Sequence, residues 1–178
     1  MNDWNVLATS VEGARPVLML GLRRLGLFRG AGYRNVAIGR VDDVAAFLEG
    51  WRDAMAGDTV LAASVGRVLP ISRTFGIDEA DPMTSLQAAV EPLAAEIAGR
   101  SFYVRVARRG LQGTLDSSLA ERTLGTALWV RIEAAGHTPR VAFDDAEVAV
   151  AVETLGERGG IALLDRQMRA TFPFVRVS

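Results

Sequence analysis

Short apolar runs alternate with polar or glycine-rich breaks along this chain, and their periods separate strands from helices. Trp4 to Val11 is an apolar run that predicts a strand. A helical pattern starts at Ala14 or Arg15, with Val17, Leu18, Leu20, Gly21 and Leu25 at helix spacing. Glycines 26, 30 and 32 read as helix stop and turn. Asn35 to Val41 alternates as a strand does. Asp42 is placed to cap a helix over Val44 to Met55, where Val44, Phe47, Leu48 and Trp51 share a face, and Gly57 and Asp58 stop it. Thr59 to Leu69 predicts a return as a strand that runs into Pro70. This β-α-β-α-β order with short loops predicts a small α+β sandwich.

The polar, turn-like segment Ile77 to Pro82 places the end of a first domain, residues 1–80, and the start of a second, residues 81–178. Thr84 is the expected cap of a helix over Ser85 to Ala98, with Gly99 as its stop. Next comes an alternating strand in which Phe102, Val104 and Val106 point one way and Tyr103, Arg105 and Ala107 the other. Ser117 or Ser118 caps the long helix that follows, and Glu121 stands at capping-box spacing from Ser118. Leu119, Leu124, Leu128 and Ile132 are its expected buried face, and Gly136 ends it. Strands are predicted at Arg140 to Phe143, Glu147 to Thr154 and Ile161 to Leu164, with Glu157-Arg158-Gly159-Gly160 as a hairpin signal. Arg166 to Ala170 forms a last helical turn. The expected fold class is α+β, built as two small sandwich domains.

Composition sharpens the functional side. The chain is 49% hydrophobic and 23% charged, which is globular. Its net charge of −1 covers an uneven spread. Residues 13–41 carry six arginines and no acid, whereas 81–99 carry Asp81, Glu91 and Glu96 and no base. No cysteine is present, which excludes disulfides, thiolate zinc sites and cysteine nucleophiles. All 20 basic residues are arginine, so a Walker A lysine and a Schiff-base lysine are excluded as well. Arginine suits bidentate phosphate contacts, and an all-arginine set is also what a GC-rich genome yields. The N-terminus has no basic n-region, and the apolar run Pro16 to Leu22 is broken by Arg23 and Arg24. A cytoplasmic protein with no membrane partner is therefore expected.

The single histidine, His137, follows Gly136 at a helix end and reads as a turn residue. Asp144-Asp145 reads as a polar turn rather than a cation site, and glycines 26–32 follow a helix, the wrong context for a dinucleotide loop. No nucleophile, base and oxyanion donors come together, so neither catalysis nor a cofactor is expected. The feature that remains is a basic platform. Arg100, Arg105, Arg108 and Arg109 cluster on one strand and its exit, and no acid occurs between Ile97 and Leu115. Such a platform meets phosphate, or its arginines are simply solvated on a half-buried strand.

Residues 100–165 resemble a THUMP domain, an RNA-binding module of tRNA-modifying proteins. The resemblance lies in Phe102-Tyr103-Val104-Arg105-Val106 with Arg108-Arg109-Gly110, in Glu121-Arg122-Thr123-Leu124-Gly125, in Pro139-Arg140-Val141, and in the strands VAVAVETLG and GIALLDR. Upstream, Arg67 to Thr74 is similar to the segment in Tan1-type proteins that joins an N-terminal ferredoxin-like domain to THUMP, and Asn5 to Ser10 is similar to their opening. The chain departs from the family at Ala142, at Asp144-Asp145 and in lacking lysine. The resemblance implies a tRNA-binding adaptor that is not itself an enzyme and needs no cofactor. Its implied partner is an RNA acetyltransferase that forms N4-acetylcytidine, or another tRNA-modifying enzyme. Arg100, Arg105, Arg108 and Arg109, with Arg67 and Arg73 at the domain junction, are the expected phosphate contacts, and Tyr103 either stacks an unpaired base or is a surface strand residue. The competing expectation is a protein-interaction or regulatory α+β domain without RNA binding.

Overall fold

The computed structural model describes residues 3–178. The chain forms two compact units, Met1–Ser72 with Met168–Arg176, and Arg73–Gln167 with Val177–Ser178. Both are α+β, each with its own sheet.

In the first unit β1 (Val6–Ser10) leads to α1 (Arg15–Leu22), β2 (Leu27–Gly30), β3 (Val36–Arg40), α2 (Val44–Gly57), α3 (Thr59–Ser64) and β4 (Val65–Pro70). The strands lie in the order β2-β3-β1-β4, every pair antiparallel. Leu7, Leu18, Leu22, Trp51 and Leu69 are fully buried, and Phe47 stacks on Trp51 with ring centroids 6.2 Å apart. Gly39 cannot carry a side chain, because a Cβ there would come within 2.3 Å of the Phe28 ring. The end of the chain packs beside β4, where Val68 N–H donates to the Phe174 carbonyl at 2.9 Å.

Three local expectations are corrected in this unit. The helix α2 is capped by Asp43, whose carboxylate accepts from Ala46 N–H at 2.9 Å, not by Asp42. The stretch from Thr59 is helical as far as Ser64 before the strand begins. Asp58 starts that helix by accepting from Val60 and Leu61 N–H at 3.0 and 2.9 Å, and this capping outweighs the strand preference of the apolar run. Between the glycines read as turns, Leu27–Gly30 pairs with β3 as an additional strand.

The second unit comprises β5 (Arg73–Gly76), α4 (Pro82–Val90), a 3-10 turn (Glu91–Leu93), α5 (Ala94–Ile97), β6 (Ser101–Ala107), α6 (Ser117–Ala134), β7 (Arg140–Val141), β8 (Val148–Leu155) and β9 (Arg158–Asp165), with α7 (Arg166–Thr171) following. Its sheet runs β5-β9-β8-β6-β7. The strand β6 is parallel to both its neighbours, and β8 and β9 form an antiparallel hairpin in which Leu155 faces Arg158. Phe102, Val104 and Val106 point into a core shared with Leu124, Leu128 and Ile132 of α6 and Leu86, Val90 and Leu93 of the preceding helices. The strand β5 pairs with β9 from Arg73↔Ile161 to Gly76↔Arg158, so this unit begins at Arg73, whereas the sequence reading puts the domain end near residue 80.

The helix expected over Ser85 to Ala98 starts earlier, under the Asp81 cap rather than Thr84, and changes at the 3-10 turn that contains Pro92. The cap of α6 is Asp116, which accepts from Leu119 N–H at 2.7 Å, not Ser117 or Ser118. That frame turns Leu119 outward, half exposed, and gives its place in the core to Ala120. Gly99 and Gly136 end their helices with φ of +81° and +82°, as the pattern predicts.

Candidate nucleic-acid interface

Arg105 lies in the middle of β6 with its side chain 33% exposed. Its guanidinium carbon stands 5.1 Å from the Tyr103 ring centroid and 5.8 Å from that of Phe143. Its Nη1 is 3.5 Å from Glu121 Oε2, while Glu121 Oε1 accepts from Val106 N–H at 3.0 Å. Glu121 therefore does not close a capping box: it ties the first turns of α6 to β6 and holds Arg105 in place. Tyr103, which alternation turns away from the core, is only 7% exposed, because Arg105 and the Phe143 ring (centroids 6.5 Å apart) cover it.

The rings that solvent reaches here are Phe143, 66% exposed, and Trp129 on α6, 38% exposed. Neither was singled out from the sequence. The sequence pattern places Phe143 at the end of a strand, and that strand stops at Val141. Trp129 sits one position beyond Leu128 of the buried stripe, and a tryptophan off the core face was the signal that could have found it. Between the β6–β7 edge and α6 opens a groove of about 510 Å³, floored by Tyr103, Val141 and Phe143 and walled by Arg122, Thr126 and Trp129. Arg122 is exposed and makes no hydrogen bond or ion pair among the described residues.

The other arginines of the platform do different things. Arg109, at the exit of β6, forms an ion pair with Glu153 Oε2 at 2.6 Å, and that glutamate is 1% exposed. Its N–H donates to Thr154 Oγ1 at 3.0 Å, and the Thr154 hydroxyl donates back to its carbonyl at 3.1 Å. Arg108 Nη1 donates to the Gly110 carbonyl at 3.0 Å, inside the loop that leaves the strand. Arg100 Nη2 donates to the Glu96 carbonyl at 2.7 Å, and Arg73 Nη2 is 3.5 Å from Glu96 Oε1, so these two share one place on the surface. Arg67 is 6% exposed, on β4 of the first unit. The seven predicted positions are thus dispersed: two at the groove, two at the exit of β6, two beside Glu96 and one in the other unit.

Glu147 anchors the start of β6. Its Oε2 accepts from Ser101 N–H at 2.7 Å and from Arg140 Nη2 at 2.9 Å. The Ser101 backbone bond, with help from the Ser101 hydroxyl and the Arg140 and Arg166 charges, lowers its pKa below the ordinary glutamate value against a partly opposing cost of burial. His137 is exposed at the end of α6. Asp145 Oδ1 pairs with Arg166 Nε at 2.9 Å at a positive-φ turn, in keeping with a polar turn. Among the described residues no group of acids and histidine is arranged for a metal ion, and no helix is long and apolar enough to cross a membrane.

The fold defined by these two units recurs in solved structures. TrmN from Thermus thermophilus superposes with a TM-score of 0.64 at 21% identity, over 90% of this chain and 45% of that one. PH1313 from Pyrococcus horikoshii Ot3 gives 0.61 at 11% identity over 90% of this chain and 54% of that one. A 4-thiouridine synthetase, solved as an RNA complex with bound ATP, gives 0.55 at 11% identity over 90% and 41%. At these identities the likeness is one of fold, and it supports a THUMP-like fold here. The chain spans from 40% to 54% of six of the solved chains it matches. No family profile and no curated relative matches it.

One expectation is overturned by these likenesses. The missing catalytic set and the resemblance together lead one to expect a protein that is not an enzyme. The same fold, however, recurs in a 4-thiouridine synthetase and in chains described as "a putative methyltransferase", "a predicted N6-adenine-specific DNA methylase" and "a possible methylase". This is a fold that enzymes carry, and a catalytic set missing from one stretch of sequence does not exclude membership of an enzyme.

Proposed function

We propose that this chain is the tRNA-holding part of a tRNA-modifying enzyme system. The observation that carries the reading is the fold shared with a 4-thiouridine synthetase seen in complex with RNA. The arginines of the second unit that keep contact with solvent supply the phosphate contacts: Arg73, Arg100, Arg105 and Arg108, joined by Arg122. Arg109 and Arg67 are assigned to the scaffold, since one neutralises a buried glutamate and the other is itself buried.

Two finer readings belong with it. The first unit is read as a ferredoxin-like domain, supported by its antiparallel order β2-β3-β1-β4 and its split β-α-β arrangement. The enzyme served is read as an RNA acetyltransferase forming N4-acetylcytidine, which rests on the resemblance to Tan1-type proteins alone. A tRNA-directed role carries a cytoplasmic location.

Titration of tRNA at several salt concentrations tests the reading. Four or five arginines meeting phosphate give a log–log slope of affinity against salt of about −3 to −4. Absence of binding at low salt, or affinity unchanged when Arg105, Arg108 and Arg122 are replaced by Glu, overturns it. RNA recovered by cross-linking from cells then separates tRNA from other RNA.

A further inference from the structure

We infer that the groove between α6 and the β6–β7 edge is a pocket for an unpaired nucleobase of single-stranded RNA, with Phe143 and Trp129 as its stacking faces and Arg122 as its phosphate contact. The inference rests on the proposed RNA binding and adds to it a defined subsite and the state of the RNA that enters it.

Four observations meet here. The first is exposure: Phe143 is 66% and Trp129 38% exposed although both line one concave site. An aromatic ring left open in a groove loses the hydrophobic gain of burial and invites a flat partner, and base–aromatic stacking is indifferent to which base arrives. The second is rigidity. Phe143 is backed by Tyr103 at 6.5 Å and by the Arg105 guanidinium at 5.8 Å, and Trp129 rides on α6 between core positions Leu128 and Ile132. Faces fixed in this way lose little conformational freedom when a base stacks on them. The third is charge. Arg122 stands in the wall with no partner among the described residues, free to meet a phosphate, while Arg105 beside it shares its charge with Glu121 at 3.5 Å. The fourth is size, because about 510 Å³ admits a nucleotide and excludes a duplex.

An extended peptide adding to the β6 edge is the other occupant such a groove suggests. The edge argues against it. Glu121 already takes the Val106 N–H, and Arg105 donates to the Val104 carbonyl at 3.3 Å, so the donors and acceptors a new strand would pair with are partly occupied.

The test uses the protein's own tryptophans. Trp4 and Trp51 are 2% and 0% exposed, so a stacking base reaches Trp129 alone. A single-stranded oligouridylate is titrated while tryptophan emission is recorded, with a double-stranded RNA of equal length in parallel. The expected result is saturable quenching of the exposed fraction by the single strand and none by the duplex. Phe143→Ala, an exposed position whose loss leaves the core intact, weakens single-strand affinity by roughly 5- to 150-fold, the span measured for one stacked base. Arg122→Ala leaves the quenching amplitude unchanged and lowers the salt slope by a little under one. Equal quenching by duplex and single strand overturns the inference, as does affinity unmoved by Phe143→Ala, or no quenching at all. If tRNA still binds with the expected salt slope while oligouridylate leaves Trp129 untouched, the subsite fails and the tRNA reading stands. If neither RNA binds, both fall.

Discussion

At the exit of β6, Arg109 reaches the 1%-exposed carboxylate of Glu153 at 2.6 Å, and the backbone around it is closed by Thr154. In the middle of the same strand, Arg105 lies over two aromatic rings at the rim of an open groove, paired with Glu121 at a longer 3.5 Å. Both came from one basic run and looked alike as candidates for phosphate. Their surroundings divide them. Glu153 stands on a strand buried along nearly its whole length, so it requires a counter-charge and Arg109 is committed to it. Glu121 is 26% exposed at the groove rim, against 1% for Glu153, and an ion pair there is weaker and more exchangeable. An arginine's type announces that it can bind phosphate; the burial of its acid decides whether it is available.

Removing the committed arginine has the largest expected effect. Arg109→Met removes a cation from a buried carboxylate and costs about 3 kcal/mol, the low end for a broken buried pair, because the arginine is 21% exposed and Glu153 has a further interaction. Urea denaturation followed by circular dichroism measures the loss. The double change Arg109→Met with Glu153→Leu recovers most of it, since neither charge then remains. A loss under about 1 kcal/mol for the single change would place Arg109 among the solvated arginines and erase the contrast.

Arg105→Ala is expected to behave in the opposite way. It removes a rim ion pair and two ring contacts, so stability falls by about 1 kcal/mol or less. Binding carries the effect instead: the salt slope for tRNA becomes less steep by a little under one. A large stability loss with an unchanged slope would reassign Arg105 to the scaffold beside Arg109.

This contrast also shows how far the sequence could be read. Period-2 and period-3.6 patterns located β3, α2, β6, α6 and the β8–β9 hairpin, because in each the apolar stripe and the stop residue agree. They failed where a short-range contact overrode the pattern. Asp58 turned the apolar Thr59–Ser64 into α3, and pairing with β3 made a strand of residues bracketed by glycines. The platform was legible as a run of arginines. Its division was not, because the acid that claims Arg109 lies 44 residues away in sequence. One trace of it was present: a glutamate at the end of the continuous apolar strand VAVAVETL is a charge that must find a partner. The groove left less. Tyr103 was the aromatic the pattern pointed to, yet it is buried, and the exposed rings come from a strand that stops early and from the flank of a helix.

The smallest expected effect concerns a third arrangement, in which the acid itself is held by backbone. Glu147 accepts from Ser101 N–H at 2.7 Å and from Arg140 of β7, the strand whose Val141 forms part of the groove floor. Its pKa is lowered in the folded protein, so on acidification the unfolded chain takes up a proton first. The carboxylate therefore contributes stability that is fully present above the ordinary glutamate value, about 4.3, and that is lost as pH falls through the lowered folded value. Glu147→Gln keeps an acceptor for Ser101 but removes the charge, so wild type and variant differ most near neutral pH and converge in acid. Urea midpoints recorded for both proteins from neutral pH downward measure that convergence. A difference that stays constant with pH would mean that the hydrogen bond, and not the charge, holds the start of β6. The β7 edge beside the groove would then owe its position to backbone geometry, as the exit of β6 owes its own to a buried ion pair.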